Sequence, residues 1–137
     1  MPKKYKVFIS HAGTDTWVAR KIEADIANLG ADTFLDEADI EIGEDFEERI
    51  LEEIEKSDEL LVLLTPWSLE RPYIWIEIGA LWSHRKRIVG VLYGISAQEI
   101  SAHKYWPTLL KRISLIEIND FDRYLDELNR RIPKVTE

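Results

Sequence analysis

The sequence predicts an α/β fold, a three-layer sandwich in which a five-stranded parallel sheet carries helices on both faces. Segments rich in β-branched and aromatic residues alternate with segments whose apolar residues recur at helical spacing, and the connections are short. Such alternation is typical of parallel sheets, whose strands are joined by helical crossovers. The third strand, Glu59–Leu64, is almost continuously apolar, as expected of a strand buried on both faces. Five strands of this kind favour the flavodoxin-like order 2-1-3-4-5.

Five segments have the composition of strands. The first, K-Y-K-V-F-I-S, is a β-branched and aromatic run bounded by polar residues. Thr65 and Pro66 end the third strand, and Gly94 ends the fourth. The predicted strands are Lys4–Ser10, Ala31–Leu35, Glu59–Leu64, Arg87–Tyr93 and Ser114–Ile118.

The helices are predicted from apolar stripes. The first helix follows the turn at residues 11–14, has Thr14 or Asp15 as its cap, and ends at Gly30. Its stripe is Val18, Ile22, Ile26 and Leu29, and that of the second helix is Phe46, Ile50 and Ile54. Between strands four and five, Glu99–Leu110 is weakly helical and is interrupted at Pro107. Phe121–Arg131 forms a final amphipathic helix.

The third helix, near residues 70–84, carries an acid inside an otherwise apolar segment. Its core-facing stripe is Ile74, Ile78 and Leu81, and Pro72 fits its first turn. Tyr73 and Glu77 are four residues apart and share a different face, about 100° from the stripe. Two interpretations of Glu77 stay open on this pattern. It is half exposed and pairs with Arg71 or Arg85, or it is a functional carboxylate.

Composition and net charge argue against several classes of function. The 137 residues suit one domain, and 45% apolar with 32% charged residues is a globular balance. The net charge of −8 argues against binding to nucleic acid or to an anionic membrane. No apolar run approaches the roughly 18 residues of a membrane span, and no apolar signal segment follows the start, so we expect a cytoplasmic protein. The absence of cysteine excludes disulfides and a thiol nucleophile.

The predicted sheet places its ligand crevice at the carboxyl ends of strands one and three. Several α/β sites are excluded there, because the sequence has no G-x-G-x-x-G, no G-K-[ST] and no G-x-S-x-G. A phosphoacceptor site is also excluded, since Ser10 and Thr65 stand where acids are needed. His11, His84 and His103 are far apart in sequence, and we expect no metal site.

Four motifs in order resemble the successive boxes of a TIR (Toll/interleukin-1 receptor) domain, in particular those of its prokaryotic members. They are V-F-I-S-H-A, F-L-D-x(5)-I-G-E-x-F, S-D-E-L-L-V-L-L-T-P and P-Y-I-W-I-E-I-G-A. The resemblance runs from Lys4 to Ile132 and implies a single TIR domain over residues 1–137, in which Asp36–Asp45 is the family's BB loop.

The resemblance implies cleavage of NAD⁺ at its nicotinamide glycosidic bond, to linear or cyclic ADP-ribose, for signalling, NAD⁺ depletion or antiviral defence. NAD⁺ is then the substrate, and no cofactor is expected. The family's catalytic Glu lies four residues after an aromatic, as Glu77 follows Tyr73, although many members have Trp there. Some members also carry an Arg soon after the first Ser, and this chain does not. The expected substrate-binding residues are Ser10, His11, Gly13, Thr14, Asp36, Gly43 and Tyr73.

The alternative is a non-catalytic TIR module that assembles with other TIR domains. Ile40 and Ile42 lie among charged residues in the BB loop, a setting typical of a contact surface. An acidic loop needs a basic partner, and the sequence offers Arg85, Lys86 and Arg87. Trp75 and Trp82, on a third face of the same helix, are expected to widen that contact.

Overall fold

The structure, a computed structural model, describes residues 4–35, 46–103 and 113–133, apart from the side chains of Phe46 and Tyr73. Its five strands form one parallel sheet in the order β2-β1-β3-β4-β5, so the predicted flavodoxin-like order is confirmed. The strands are β1 (Lys6–Ser10), β2 (Asp32–Leu35), β3 (Glu59–Leu64), β4 (Arg87–Leu92) and β5 (Ile113–Glu117).

Five α-helices lie in the described ranges. They are α1 (Thr16–Ala27), α2 (Phe46–Lys56), α3 (Pro72–Ser83), α4 (Ala97–Ser101) and α5 (Phe121–Arg131). Pro72 is at the start of α3 as predicted, where its missing N–H costs no helical hydrogen bond. No helix within those ranges combines the length and the hydropathy that crossing a membrane requires.

The helix after β4 begins earlier than the predicted Glu99. Ser96 accepts a hydrogen bond from the Glu99 amide at 3.1 Å, and the Glu99 carboxylate accepts one from the Ser96 amide at 3.2 Å. This reciprocal capping box starts α4 at Ala97. The motif S-A-Q-E, which has the capping-box pattern, is present in the sequence, but the prediction did not use this motif. The helix ends at Ser101, so residues 102 and 103 are not helical as predicted, and residues 104–110 of the expected helix lie outside the described residues.

The two faces of the sheet carry separate apolar cores, because successive side chains of a strand point to opposite faces. Helices α1 and α5 cover one face, where Ile22 and Leu128 pack with Ile9 and Leu63. Helices α2 and α3 cover the other face. There the predicted stripe of α3 is confirmed, since Ile74, Ile78 and Leu81 are all buried. All six residues of β3 are buried, as the sequence predicted for a central strand.

Candidate functional site

Ser10 and Glu77 meet where β1 ends beneath α3. Phe8 packs in the core beneath α2 and α3, so Ser10, two residues later, faces the same helices. Its hydroxyl donates a hydrogen bond of 2.6 Å to Oε1 of Glu77. Both residues are 0% exposed, so the interpretation in which Glu77 is half exposed is wrong. The chain therefore holds a buried carboxylate at the carboxyl edge of the sheet.

The loops after β1 and β3 are joined beside this pair. Asp15 stands at the N-cap position of α1, as predicted, but its side chain makes no capping hydrogen bond. Its carboxylate instead accepts a hydrogen bond of 2.7 Å from the Thr65 hydroxyl. The Thr65 hydroxyl in turn accepts from the Ser68 amide at 3.0 Å, and the Ser68 hydroxyl accepts from the Thr65 amide at 2.8 Å. All three residues are buried. These bonds fix the two loops against each other at the predicted ligand crevice.

His11 supports the turn that opens α1. The Thr16 hydroxyl donates to the carbonyl of Gly13 at 2.7 Å, so its oxygen is left to accept from Nε2 of His11, 3.3 Å away. His11 is buried, whereas Gly13 and Thr14 are exposed in the turn. Of the predicted substrate-binding residues, Ser10 and His11 are thus buried, whereas Gly13 and Thr14 form an exposed turn.

Tryptophan and histidine side chains stiffen the flank of α3. Trp75 donates from its indole N–H to the carbonyl of Leu69 at 2.8 Å, and its ring stacks on His103 with centroids 5.1 Å apart. Trp75 is half-buried in this packing, whereas Trp82 is exposed. Trp67, in the loop after β3, is 56% exposed, and the sequence analysis missed it. Its place directly after Thr65 and Pro66, which end a strand, was the feature of the sequence that could have identified Trp67.

The basic segment after α3, residues 85–87, contains one residue that bonds to α2 and two that are exposed. Lys86 donates from Nζ to the carbonyl of Ser57 at 2.5 Å and to that of Glu55 at 3.3 Å, which satisfies carbonyls at the end of α2. Arg85 and Arg87 are exposed. Lys86 thus ties α2 to β4, and the part of Arg85, Lys86 and Arg87 in self-association stays a prediction.

Several predicted residues are outside what the structure describes. The loop residues Asp36, Ile40, Ile42 and Gly43 lie outside the described ranges, as does the side chain of Tyr73. Within the described residues, no three His, Asp or Glu side chains converge as metal ligands would. The pairing of Glu77 with an aromatic on α3 stays a prediction.

Comparison with known proteins decides the family. The sequence profile of the TIR domain matches residues 7–130. The chain belongs to the TIR domain family. The TIR domain of the Toll-related receptor TRR-2 from Hydra magnipapillata shares the fold, with a TM-score of 0.70 at 22% identity over 92% of this chain and 98% of that one. A TIR-STING receptor from C. gigas, solved in complex with 2′,3′-cGAMP, gives a TM-score of 0.69 at 25% identity, covering 93% of this chain and 39% of the receptor.

One curated relative of this TIR domain carries an enzyme's name. It is the probable 2′ cyclic ADP-D-ribose synthase BdTIR of Brachypodium distachyon, which is 31% identical over 99 residues. The match covers 71% of this chain and 44% of the relative, so the chain spans less than half the length of that protein. The family resemblance of the four motifs is thereby confirmed, and the roles of individual residues stay predictions.

Proposed function

We propose that this TIR domain cleaves the bond between nicotinamide and ribose in NAD⁺, with Glu77 as the catalytic residue. The observation that carries the proposal is the buried Glu77 carboxylate, held by Ser10 at the carboxyl edge of the sheet. Ligands of open α/β sheets bind at this edge, beside the switch point between β1 and β3. The synthase name of the Brachypodium distachyon relative supports the same chemistry. The products serve signalling or deplete NAD⁺, including in antiviral defence.

A carboxylate suits this reaction because the leaving group needs no acid. When the glycosidic C–N bond breaks, its electron pair moves to the cationic ring nitrogen, and neutral nicotinamide leaves. Positive charge then develops on the ribose, and a fixed carboxylate stabilises it. Attack by water, with loss of a proton, gives linear ADP-ribose. Attack by a nucleophile of the same molecule gives a cyclic product.

We propose the remaining substrate contacts from the exposed turn before α1 and from α3. The pyrophosphate approaches the exposed turn at Gly13 and Thr14, where backbone N–H groups open α1. The hydrogen bonds of His11 and Thr16 stabilise this turn. Tyr73 packs against a ring of the substrate one turn before Glu77 on α3.

Burial of Glu77 imposes a condition on catalysis. With 0% exposure, the carboxylate reaches a ribose only if neighbouring groups move aside. Catalytic hydrogen bonds often form only in the substrate complex, so this arrangement is compatible with an enzyme at rest. We expect slow turnover unless assembly or another signal opens the site.

The same burial favours a second candidate, a non-catalytic TIR module. A fully buried carboxylate with a short bond to a strand hydroxyl is also what a structural role requires. In that case the chain acts by homotypic assembly through its BB loop, and NAD⁺ is not consumed. Release of nicotinamide from NAD⁺ distinguishes the two functions.

The test is Glu77→Gln, which keeps the shape of the side chain and removes its charge. We expect nicotinamide release to fall by about 100- to 1000-fold while the far-ultraviolet dichroism is unchanged. Glu70→Gln is the matched control, because Glu70 is exposed in the neighbouring loop and its loss should leave the rate intact. Undiminished cleavage by Glu77→Gln would refute the assignment, and an unfolded variant would indicate the structural role.

A further inference from the structure

Three arginines converge on a recess of about 190 Å³ between β4, β5 and α5. We call it the arginine recess, and it is lined in particular by Arg87, Arg123, Arg131, Ser114, Tyr124 and Glu127. Arg123, Glu127 and Arg131 are spaced four residues apart and therefore share one face of α5. Arg87 is the first residue of β4. The arginines thus reach the recess from two different elements of the fold.

Arg131 is held in a fixed orientation by Glu59. Its Nε and Nη2 donate to the two carboxylate oxygens at 3.0 and 3.2 Å, while the hydroxyls of Tyr5 and Tyr124 donate to the same carboxylate at 2.6 Å each. Burial works against the charged guanidinium, but the hydrogen bonds and charge of Glu59 outweigh it and raise the pKa of Arg131. Arg131 therefore stays charged, with further N–H groups beyond the two that Glu59 uses.

The other charges of the recess leave an excess of positive charge. Arg123 lies 3.8 Å from Glu127, and both are well exposed at 78% and 47%, so this pair is weak. No ion pair to Arg87 occurs among the described residues. Three arginines thus face two carboxylates, Glu59 and Glu127, in a chain whose net charge is −8. A local cationic site of this kind is a candidate anion site.

We propose that the arginine recess binds a small oxyanion, either free phosphate or the phosphate of a monoester. Guanidinium groups bind phosphate oxygens through paired N–H donors, and Ser114 adds a hydroxyl on β5. Preorganisation of Arg131 by Glu59 lowers the entropy lost on binding. A recess of about 190 Å³ has room for a phosphate with part of its ester group.

The recess is separate from the candidate active site. It opens on the sheet face that α5 covers, whereas Ser10 and Glu77 lie on the face that α3 covers. Glu59 pairs with Val7 in the sheet, three residues before Ser10, which is about 10 Å along the strand. Binding at the recess therefore does not depend on the proposed reaction.

The experiment is an amide NMR titration of the whole chain with inorganic phosphate and, separately, with AMP, at ionic strength held constant with chloride. We expect saturable shifts around residues 87–89, 114–116 and 123–131. Arg87→Ala and Arg123→Ala should each weaken binding by about tenfold. Arg130→Ala is the matched control, because it removes the same charge next to Arg131 without lining the recess, and binding should stay within about twofold.

The outcomes separate the sources of the oxyanion and the two proposals of function. Tighter binding of AMP at the recess indicates a monoester, and equal binding indicates free phosphate. Glu77→Gln should bind both probes as wild type does. The proposal is overturned if neither probe saturates, if Arg130→Ala weakens binding as much as Arg87→Ala, or if the shifts centre on Gly13 and Thr14 instead.

Discussion

Ser10 shows how one small side chain on β1 serves the candidate site. The strand alternates its faces, so the residue two positions after Phe8 must face the layer of α3. An apolar residue there would leave the Glu77 carboxylate without its donor from the sheet. The serine hydroxyl provides that donor at 2.6 Å with both groups fully buried. Ser10 is therefore a positioning residue for Glu77.

We expect Ser10→Ala to lower the free energy of unfolding by about 1.5–3 kcal/mol, the range for a hydrogen bond to a charged group. Urea denaturation measures this directly. Ser83→Ala is the control, since Ser83 is exposed on α3 and bonds only to local groups, and its change should stay within about 0.5 kcal/mol. Equal stabilities of the Ser10→Ala and Ser83→Ala proteins would contradict the role of the bond.

The role proposed for Tyr73 is to stack on a ring of the substrate. This role predicts which of two substitutions lowers activity more. Tyr73→Ala should reduce nicotinamide release more than Tyr73→Phe, because the phenyl ring preserves the stacking surface. Initial rates at several NAD⁺ concentrations give the comparison. If phenylalanine is as damaging as alanine, the hydroxyl is the important group and stacking is the wrong explanation.

Local sequence patterns predicted the place of Glu77 but not its surroundings. Its position beside an apolar stripe followed from helical periodicity within α3. Its partner Ser10 is 67 residues away, and the bond between Asp15 and Thr65 joins residues 50 apart. Such contacts depend on strand order and side-chain rotamers, which no window of neighbouring residues encodes.

At the scale of elements, β3 and α5 are joined by a buried polar cluster that the sequence analysis missed. Glu59 was predicted only as the start of an apolar strand. In the structure it is 0% exposed and accepts hydrogen bonds from Tyr5, Tyr124 and Arg131. These partners are 54, 65 and 72 residues away from Glu59 in sequence. The local sequence pattern around each partner therefore did not indicate its contact with Glu59.

This cluster predicts a loss of stability at alkaline pH. Burial first, and then the charge and hydrogen bond of Glu59, raise the pKa of Tyr124 well above its usual range near 10. Folded Tyr124 keeps its proton while the unfolded chain releases it above about pH 10. Its contribution to stability is therefore complete below about pH 10 and is lost as the pH rises further.

Tyr124→Phe isolates this effect, because phenylalanine cannot ionise. Above about pH 10, the unfolding free energy of wild type should fall more steeply than that of Tyr124→Phe, by up to about 1.4 kcal/mol per pH unit. Urea denaturation of both proteins from about pH 8 to about pH 11 measures the two slopes. Parallel curves would show that Tyr124 titrates alike in the folded and unfolded chains.

At the scale of the whole molecule, a parallel sheet was predictable because strands and helices alternate along the chain, and five strands favoured the flavodoxin-like order. The order 2-1-3-4-5 is the one observed. Element ends were less predictable, since they depend on caps and on pairing in the sheet. β1 begins at Lys6 where it first pairs with Asp32, two residues after the predicted start, and β5 begins one residue before Ser114.

The distribution of charge favours a head-to-tail contact between copies. The acidic stretch at residues 36–45 carries Ile40 and Ile42 in sequence, and Arg85 is exposed just beyond α3 beside the exposed Trp82. A loop that meets a different patch on the next copy forms a heterologous contact, which extends into filaments unless it closes into a ring. We propose that such assembly opens the buried Glu77 site and so controls activity.

Assembly of this kind makes specific activity depend on concentration. It should rise from nanomolar to high micromolar protein and fall with added salt, because exposed charge pairs are screened. Ile42→Asp should lower both assembly, measured by light scattering, and nicotinamide release, because it adds a charge where an apolar contact is proposed. Arg85→Ala should act in the same direction, while Arg20→Ala, which removes another exposed charge, on α1, should not. The proposal is contradicted if specific activity does not change with protein concentration and Ile42→Asp changes neither assembly nor activity. The monomer would then be the catalyst, and the loop would take no part in assembly.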